Sequence, residues 1–167
     1  MNKSNTIICN SGPLIALCLL KKLSLLQAFY QRVIIPEIVH GEILHSDATR
    51  PGAEELAGAH WIEVQPIVPD PILTAMLDPG EASVLTLARS MGITHVLIDE
   101  RRGRKIARTI LQLTVTGTAR LLVDAARSGL IVSAHQELLV LRNNGYWLGD
   151  NILEWAKLQS TQFPSPP

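Results

Sequence analysis

The chain has 167 residues, 47% of them hydrophobic and 18% charged, which suits one folded domain with a real core and excludes a disordered polymer. Lysine plus arginine number 15 and so do aspartate plus glutamate, so no overall field draws in nucleic acid and any basic surface has to be local. Aromatic residues, at 4%, are too scarce for a base-stacking platform. In chain order, Thr6 to Cys9 reads as a buried strand, Asn10-Ser11-Gly12 as a turn, and Pro13 as the first turn of a helix continuing to Leu20. Leu23 to Tyr30 is a short helical piece. Val33 to Ile35 is a strand, stopped by Pro36, which opens a helix through Leu44. A loop "SDATRPGAE" precedes a short helix, Glu54 to Ala59, and a strand, Trp61 to Gln65. "PIVPDP" reads as a loop, and Pro79-Gly80 introduces a strong helix to Met91, closed by Gly92.

The second half continues with a strand, Thr94 to Ile98, a helix, Arg101 to Leu111, and a brief strand, Leu113 to Val115. Helices follow at Thr118 to Ser128, Gln136 to Asn143 and Asn151 to Leu158. Strands alternating with helices predict an α/β domain with a mainly parallel sheet and helices on both faces. One domain is expected over residues 1–158, with a polar, proline-rich tail over 159–167. The apolar run Pro13 to Leu20 is too short to span a bilayer, and Lys21-Lys22 follows it where a signal peptide would be cleaved. With Cys9 and Cys18 in apolar stretches and no zinc spacing among five histidines, a reduced cytoplasmic protein is expected.

Chemistry enters where carboxylates stand in apolar patterns. On the helix "PEIVHGEIL", at about 100° per residue, Glu42 falls about 40° from Ile38 and inside the predicted apolar stripe. Glu81, in "GEASVLTLARSM", lies about 40° from Leu85 and is likewise flanked by core positions. Each alone reads better as a helix-end glutamate at the rim of the core, and it is the set that points to a site. Two strands add Asn10, after Ile7-Ile8-Cys9, and Asp99, after Val96-Leu97-Ile98. Both stand at the carboxyl ends of predicted parallel strands, where open α/β sheets form their ligand crevice. Carboxylates gathered there raise one another's pKa unless a cation offsets the repulsion, and oxygen-only ligands suit Mg²⁺ or Mn²⁺. Such a metal points to phosphate chemistry.

The stretch "THVLIDERRGRK" fits that reading. Five basic residues lie between Arg101 and Arg108, at a helix start that ordinarily favours acids. Arg101, Arg102, Arg104 and Lys105 are candidates for holding substrate phosphates beside Asp99. The alternative is a solvated face, its arginines paired with Glu100 or Asp124. No G-x-x-x-x-G-K-[ST] loop or G-x-S-x-G elbow occurs, and His40 and His45 are spaced five apart rather than four. Cys9 reads as an inert core thiol, and Trp147 and Trp155 as packing for the C-terminal helices or a subunit contact.

Taken in order, "NSGPLIAL", "PEIV" with Glu42, "LDPGEASVLTL", "LIDERRGRKIA", "VTGTARLLVDAARSGLI" and "LRNNGYWL" resemble the PIN-domain family, in its VapC-like, DUF3368-type toxin branch. The resemblance runs from about residue 6 to 155. It implies an α/β/α sandwich on a parallel sheet of about five strands, an acidic site for Mg²⁺ or Mn²⁺, and endoribonuclease activity. It further implies RNA as substrate, a small antitoxin as partner, and a homodimer. The family's acidic positions map onto Asn10, Glu42, Glu81 and Asp99, and the resemblance places Ser11 and Thr118 near the substrate. Two residues depart from the pattern: Asn10 stands where aspartate is usual, and Gly12 where serine is usual. An amide oxygen is the weaker metal ligand, and a catalytically weak module that binds RNA or an antitoxin is the second expectation. Glu100 could compensate, although strand alternation would aim it away from Asp99.

Overall fold

A computed structural model describes residues 6–45 and 52–161, side chains excepted at 160 and 161. The chain divides into two compact units, one ending at Thr116 and the other starting at Gly117.

The first unit is built on five parallel strands: β1 (Thr6–Cys9), β2 (Arg32–Pro36), β3 (Ile62–Gln65), β4 (His95–Leu97) and β5 (Thr114–Thr116). Their spatial order is β3-β2-β1-β4-β5. Ile7-Ile8-Cys9, Val33-Ile34-Ile35 and Val96-Leu97 are all buried, the unbroken apolar run that a sheet covered on both faces requires. The flanking helices are α1 (Ser11–Leu19), α2 (Leu25–Phe29), α3 (Glu37–Leu44), α4 (Ala53–Gly58), α5 (Pro71–Thr74), α6 (Pro79–Met91) and α7 (Arg101–Thr109). This is the α/β/α sandwich the pattern predicts.

Strand order reverses between β1 and β4. The chain winds outward from β1 through β2 and β3, then crosses back to lay β4 on the other side of β1, with Cys9 paired to Leu97. That reversal opens a crevice at the strands' carboxyl ends. Asn10 and Asp99 follow these two strands, and the Asn10 backbone N–H extends the pairing by donating to the Leu97 carbonyl at 3.0 Å.

Several boundaries differ from the sequence reading. The expected turn at residues 10–12 is absent: Asn10 is the extended N-cap residue and α1 starts at Ser11. Pro13 fits that first turn because its missing N–H would have had no helical partner. The expected loop after Gln65 contains α5, opened by Pro71 and capped by Asp70, whose side chain accepts the Ile72 N–H at 2.8 Å. β4 stops at Leu97, two residues before Asp99, so strand alternation does not govern Glu100, which is the N-cap of α7. Most of "SDATRPGAE" lies outside the described residues.

The second unit contains α8 (Thr118–Arg127), α9 (Ala134–Asn143) and α10 (Asp150–Thr161), each packed on the other two. Leu121, Leu138, Leu141, Leu153 and Ala156 are buried. An Arg142–Asp150 ion pair at 2.7 Å joins α9 to α10. The last helix passes the expected end at Leu158; the rest of the expected tail, from residue 162, lies outside the described residues. Trp147 is 86% exposed, so of the two expected roles, helix packing or a subunit contact, the first does not describe it, while Trp155 is half-buried. Among the described residues no helix is long and apolar enough to cross a membrane.

Candidate metal and phosphate site at the sheet switch point

Helix α6 carries the densest part of the site. Every residue from Gly80 to Ala88 is buried, so α6 runs through the core and is not merely apolar on one face. Glu81 is therefore buried as expected, 4% exposed, in its first turn. Asp78 caps this helix, its side chain accepting the Glu81 backbone N–H at 2.8 Å. The same Asp78 carboxyl is hydrogen-bonded to the Glu81 carboxyl. Burial, the Asp78 charge, that shared hydrogen bond and the Glu100 charge together push the Glu81 carboxyl up to about 7.

Glu42 corrects the sequence reading. The buried residues of α3 are Val39 and Ile43, and Glu42 stands exposed on the flank of that stripe. Its carboxyl end is nonetheless tucked in, held by a hydrogen bond from Ser11 and close against Gly80. Desolvation raises its pKa, the Ser11 hydroxyl opposes that, and the Asp78 charge adds to it. Ser11 thus touches an acid of the site directly. Asp78 acts on both glutamates, and sequence reasoning passed over it. The available signal was Asp78-Pro79-Gly80-Glu81, a capping aspartate three residues before a first-turn acid.

Asp99 is half-buried after β4. Burial, and then the Arg108 charge, hold the Arg104 pKa below its ordinary value, and the Asp99 charge opposes them. On α7, Gly103, Ile106 and Ala107 are buried. Arg101, Arg104, Lys105 and Arg108 occupy the opposite stripe, about 100° wide, with Arg102 to one side. Among the described residues Arg101, Arg102, Arg104 and Lys105 form no ion pair, and Asp124 is engaged by Arg120 at 2.9 Å and Arg127 at 4.0 Å. Asp124, one of the two partners in the alternative reading, pairs within its own helix. Thr118 opens α8 in the second unit, with its side chain buried. Cys9 is fully buried on β1 and its thiol is pushed up by desolvation, as an inert core cysteine should be.

Asn10 Oδ1 and Glu81 Oε1 are buried acceptors with no hydrogen-bond donor, an arrangement native interiors rarely keep. Asn10 itself is 4% exposed. Oxygen donors of this kind fit Mg²⁺ or Mn²⁺ and not a thiolate-seeking metal. The set is not a closed ring of acids: among the described residues no three His, Cys, Asp or Glu side chains gather closely enough to hold a metal. The amide of Asn10 replaces one such acid, and Glu42 leans toward Gly80 and Ser11.

A family model, DUF3368, described as a PIN domain, matches residues 6–161. Neither the curated proteins nor the solved structures yield a match. PIN domains are generally nucleases. With the family model covering nearly the whole chain, and an all-parallel sheet carrying its polar residues at the switch point, the chain belongs to the PIN-domain family.

Proposed function

We propose that the chain is a metal-dependent endoribonuclease. The observation that carries this reading is the pair of buried, donorless oxygens, Asn10 Oδ1 and Glu81 Oε1, at the ligand end of a PIN-family sheet. Asn10, Glu42, Glu81 and Asp99 would hold Mg²⁺ or Mn²⁺. When bound, such an ion supplies an activated water and electrostatic stabilisation of phosphoryl oxygens. The chain supplies the rest. Arg101, Arg104, Lys105 and Arg108 present one charged stripe to the RNA backbone, and Arg102 flanks it. Arg104 stands close enough to Asp99 to place a phosphate beside the acids. Asp78 hydrogen-bonds the Glu81 carboxyl, and Ser11 orients the Glu42 carboxyl. A small antitoxin as partner, a homodimer as assembly, and the cytoplasm as location complete the proposal; the VapC-like resemblance supports the first two, and the buried free cysteines Cys9 and Cys18 support the third.

The test is cleavage of end-labelled RNAs by the purified chain in Mn²⁺. Expected is internal cleavage, stopped by EDTA and reduced at least about 100-fold by Asp99→Asn. Absence of cleavage across structured and unstructured RNAs would remove the enzyme reading.

A second reading is favoured by two observations, the amide at position 10 and the absence of a closed acidic ring among the described residues. Here the chain is a PIN-type module that binds RNA or an antitoxin with little catalysis. Metal-independent RNA binding of unchanged strength in Asp99→Asn, with no cleavage in either protein, would select it.

A further inference from the structure

Gly103 sits in the first turn of α7 with ordinary helical backbone, where nothing in its φ requires glycine. Glycine is the poorest helix former after proline, so this position gives up helix stability. What a side chain would meet there explains the choice. An ideal Cβ on Gly103 would lie 3.0 Å from Glu81 Cδ, closer still to Glu81 Oε1, and 3.3 Å from Ile98 Cγ2. Real Cβ atoms do not approach a carboxylate so closely, so one of the two groups would have to move. Glu81 is buried in the first turn of α6, its backbone fixed by the Asp78 cap, and has little room to retreat.

The relation repeats one helix earlier. An ideal Cβ on Gly80 would lie 2.6 Å from Glu42 Oε1 and 2.8 Å from Glu42 Oε2. Each glutamate lays its carboxylate on the glycine-bared first turn of the next helix along this chain of contacts: Glu42 on α6, Glu81 on α7. A helix first turn carries partial positive charge, which favours a carboxylate held against it even where, as at Glu81 Oε1, no N–H donates to it. The two cases differ in consequence. Glu42 is an exposed residue, whereas Glu81 is buried.

We propose that Gly103 is a positioning residue of the acidic site: it leaves the space that fixes the Glu81 carboxylate against the buried side of the first turn of α7. This rests on the proposed metal site for its purpose, while the contact itself is independent of metal.

The test is a double-mutant cycle on the full chain, comparing Gly103→Ala, Glu81→Ala and the double variant by thermal unfolding in EDTA. Helix propensity alone would have Gly103→Ala raise Tm in both backgrounds. Expected instead is a fall of roughly 5 °C when Glu81 is present and no fall, or a rise, when it is alanine. If Gly103→Ala alone fails to fold, recovery of folding in the double variant supports the proposal, and failure of both overturns it. Equal effects of Gly103→Ala in both backgrounds also overturn it. Calorimetric Mn²⁺ titration adds a readout that packing alone would not move. Gly103→Ala should weaken Mn²⁺ at least about tenfold, and Glu81→Asp in the Gly103→Ala background should recover part of that loss by withdrawing the carboxylate one methylene. A positive cycle in a chain whose wild type takes up no Mn²⁺ would uphold the role of Gly103 in seating Glu81 and count against the ribonuclease reading alone.

Discussion

Asp78 holds Glu81 at two points, accepting its backbone N–H at 2.8 Å and hydrogen-bonding its carboxyl. The first contact stabilises the helix start; the second sets two acids against each other. Asp78→Asn keeps a capping oxygen and removes the charge, so the Glu81 carboxyl should titrate clearly below its present value of about 7. Asp78→Ala should do the same but lose the cap, at a cost of about 1 kcal/mol. Carbon-detected NMR of the glutamate carboxyls across pH, together with urea unfolding, reads both effects. An unmoved Glu81 resonance in Asp78→Asn would show that the two carboxyls do not interact.

Stability without metal should depend on pH in a stated direction. The Glu81 pKa is raised from an ordinary 4.5 to about 7, so between those values the folded chain holds a proton that the unfolded chain has released. Unfolding then becomes easier as pH rises. The contribution of Glu81 is full below pH 4.5, declines through the interval, and is gone above about 7. Tm measured in EDTA should therefore fall from pH 5 to pH 8, and Glu81→Gln should flatten that part of the profile. A wild-type profile rising over the same range, with Glu81→Gln superimposed on it, would contradict the shift.

Asn10→Asp restores the acid usual in the family resemblance. It adds a buried charge, so the metal-free protein should lose about 1–3 kcal/mol. With Mn²⁺ present the order should reverse, the variant gaining more Tm per added metal than wild type. Differential scanning fluorimetry over an Mn²⁺ series measures both arms. Equal metal-induced shifts in the two proteins would mean that position 10 does not face a cation.

The basic stripe of α7 should act on phosphates and not on bases. Arg101→Gln and Lys105→Gln should each weaken single-stranded RNA binding and lower the salt slope by roughly 0.7, whatever the RNA sequence. Arg102, off the stripe, should matter less. Fluorescence anisotropy from low to moderate salt decides this, and unchanged slopes would remove α7 from the RNA path.

The sheet was legible because β1, β2 and β4 are buried on both faces and announce themselves as uninterrupted apolar runs. Asn10 and Asp99 follow the carboxyl ends of β1 and β4, but that these two strands pair depends on strand order, which no local pattern encodes. Glu81 was correctly read as buried. Glu42 was misplaced because Ile38, taken as the centre of the apolar stripe, is only half-buried, while Val39 and Ile43 define its true centre. α5 escaped notice because proline-rich sequence reads as loop, although Asp70-Pro71 is also a good helix start. Asp78 and Gly103 stayed silent for a different reason. A capping aspartate and a helical glycine look ordinary until the side chain opposite them is known.

The most direct measurement is anomalous diffraction from crystals of the wild-type chain grown with MnCl₂, collected at a wavelength where manganese scatters strongly. Expected is one peak bonded to Glu81 Oε1 and Asn10 Oδ1, with Asp99 in its coordination shell, at roughly 2.2 Å from oxygen. No peak at saturating Mn²⁺, with both oxygens still buried and donorless, or a peak confined to surface carboxylates, would contradict the proposed site.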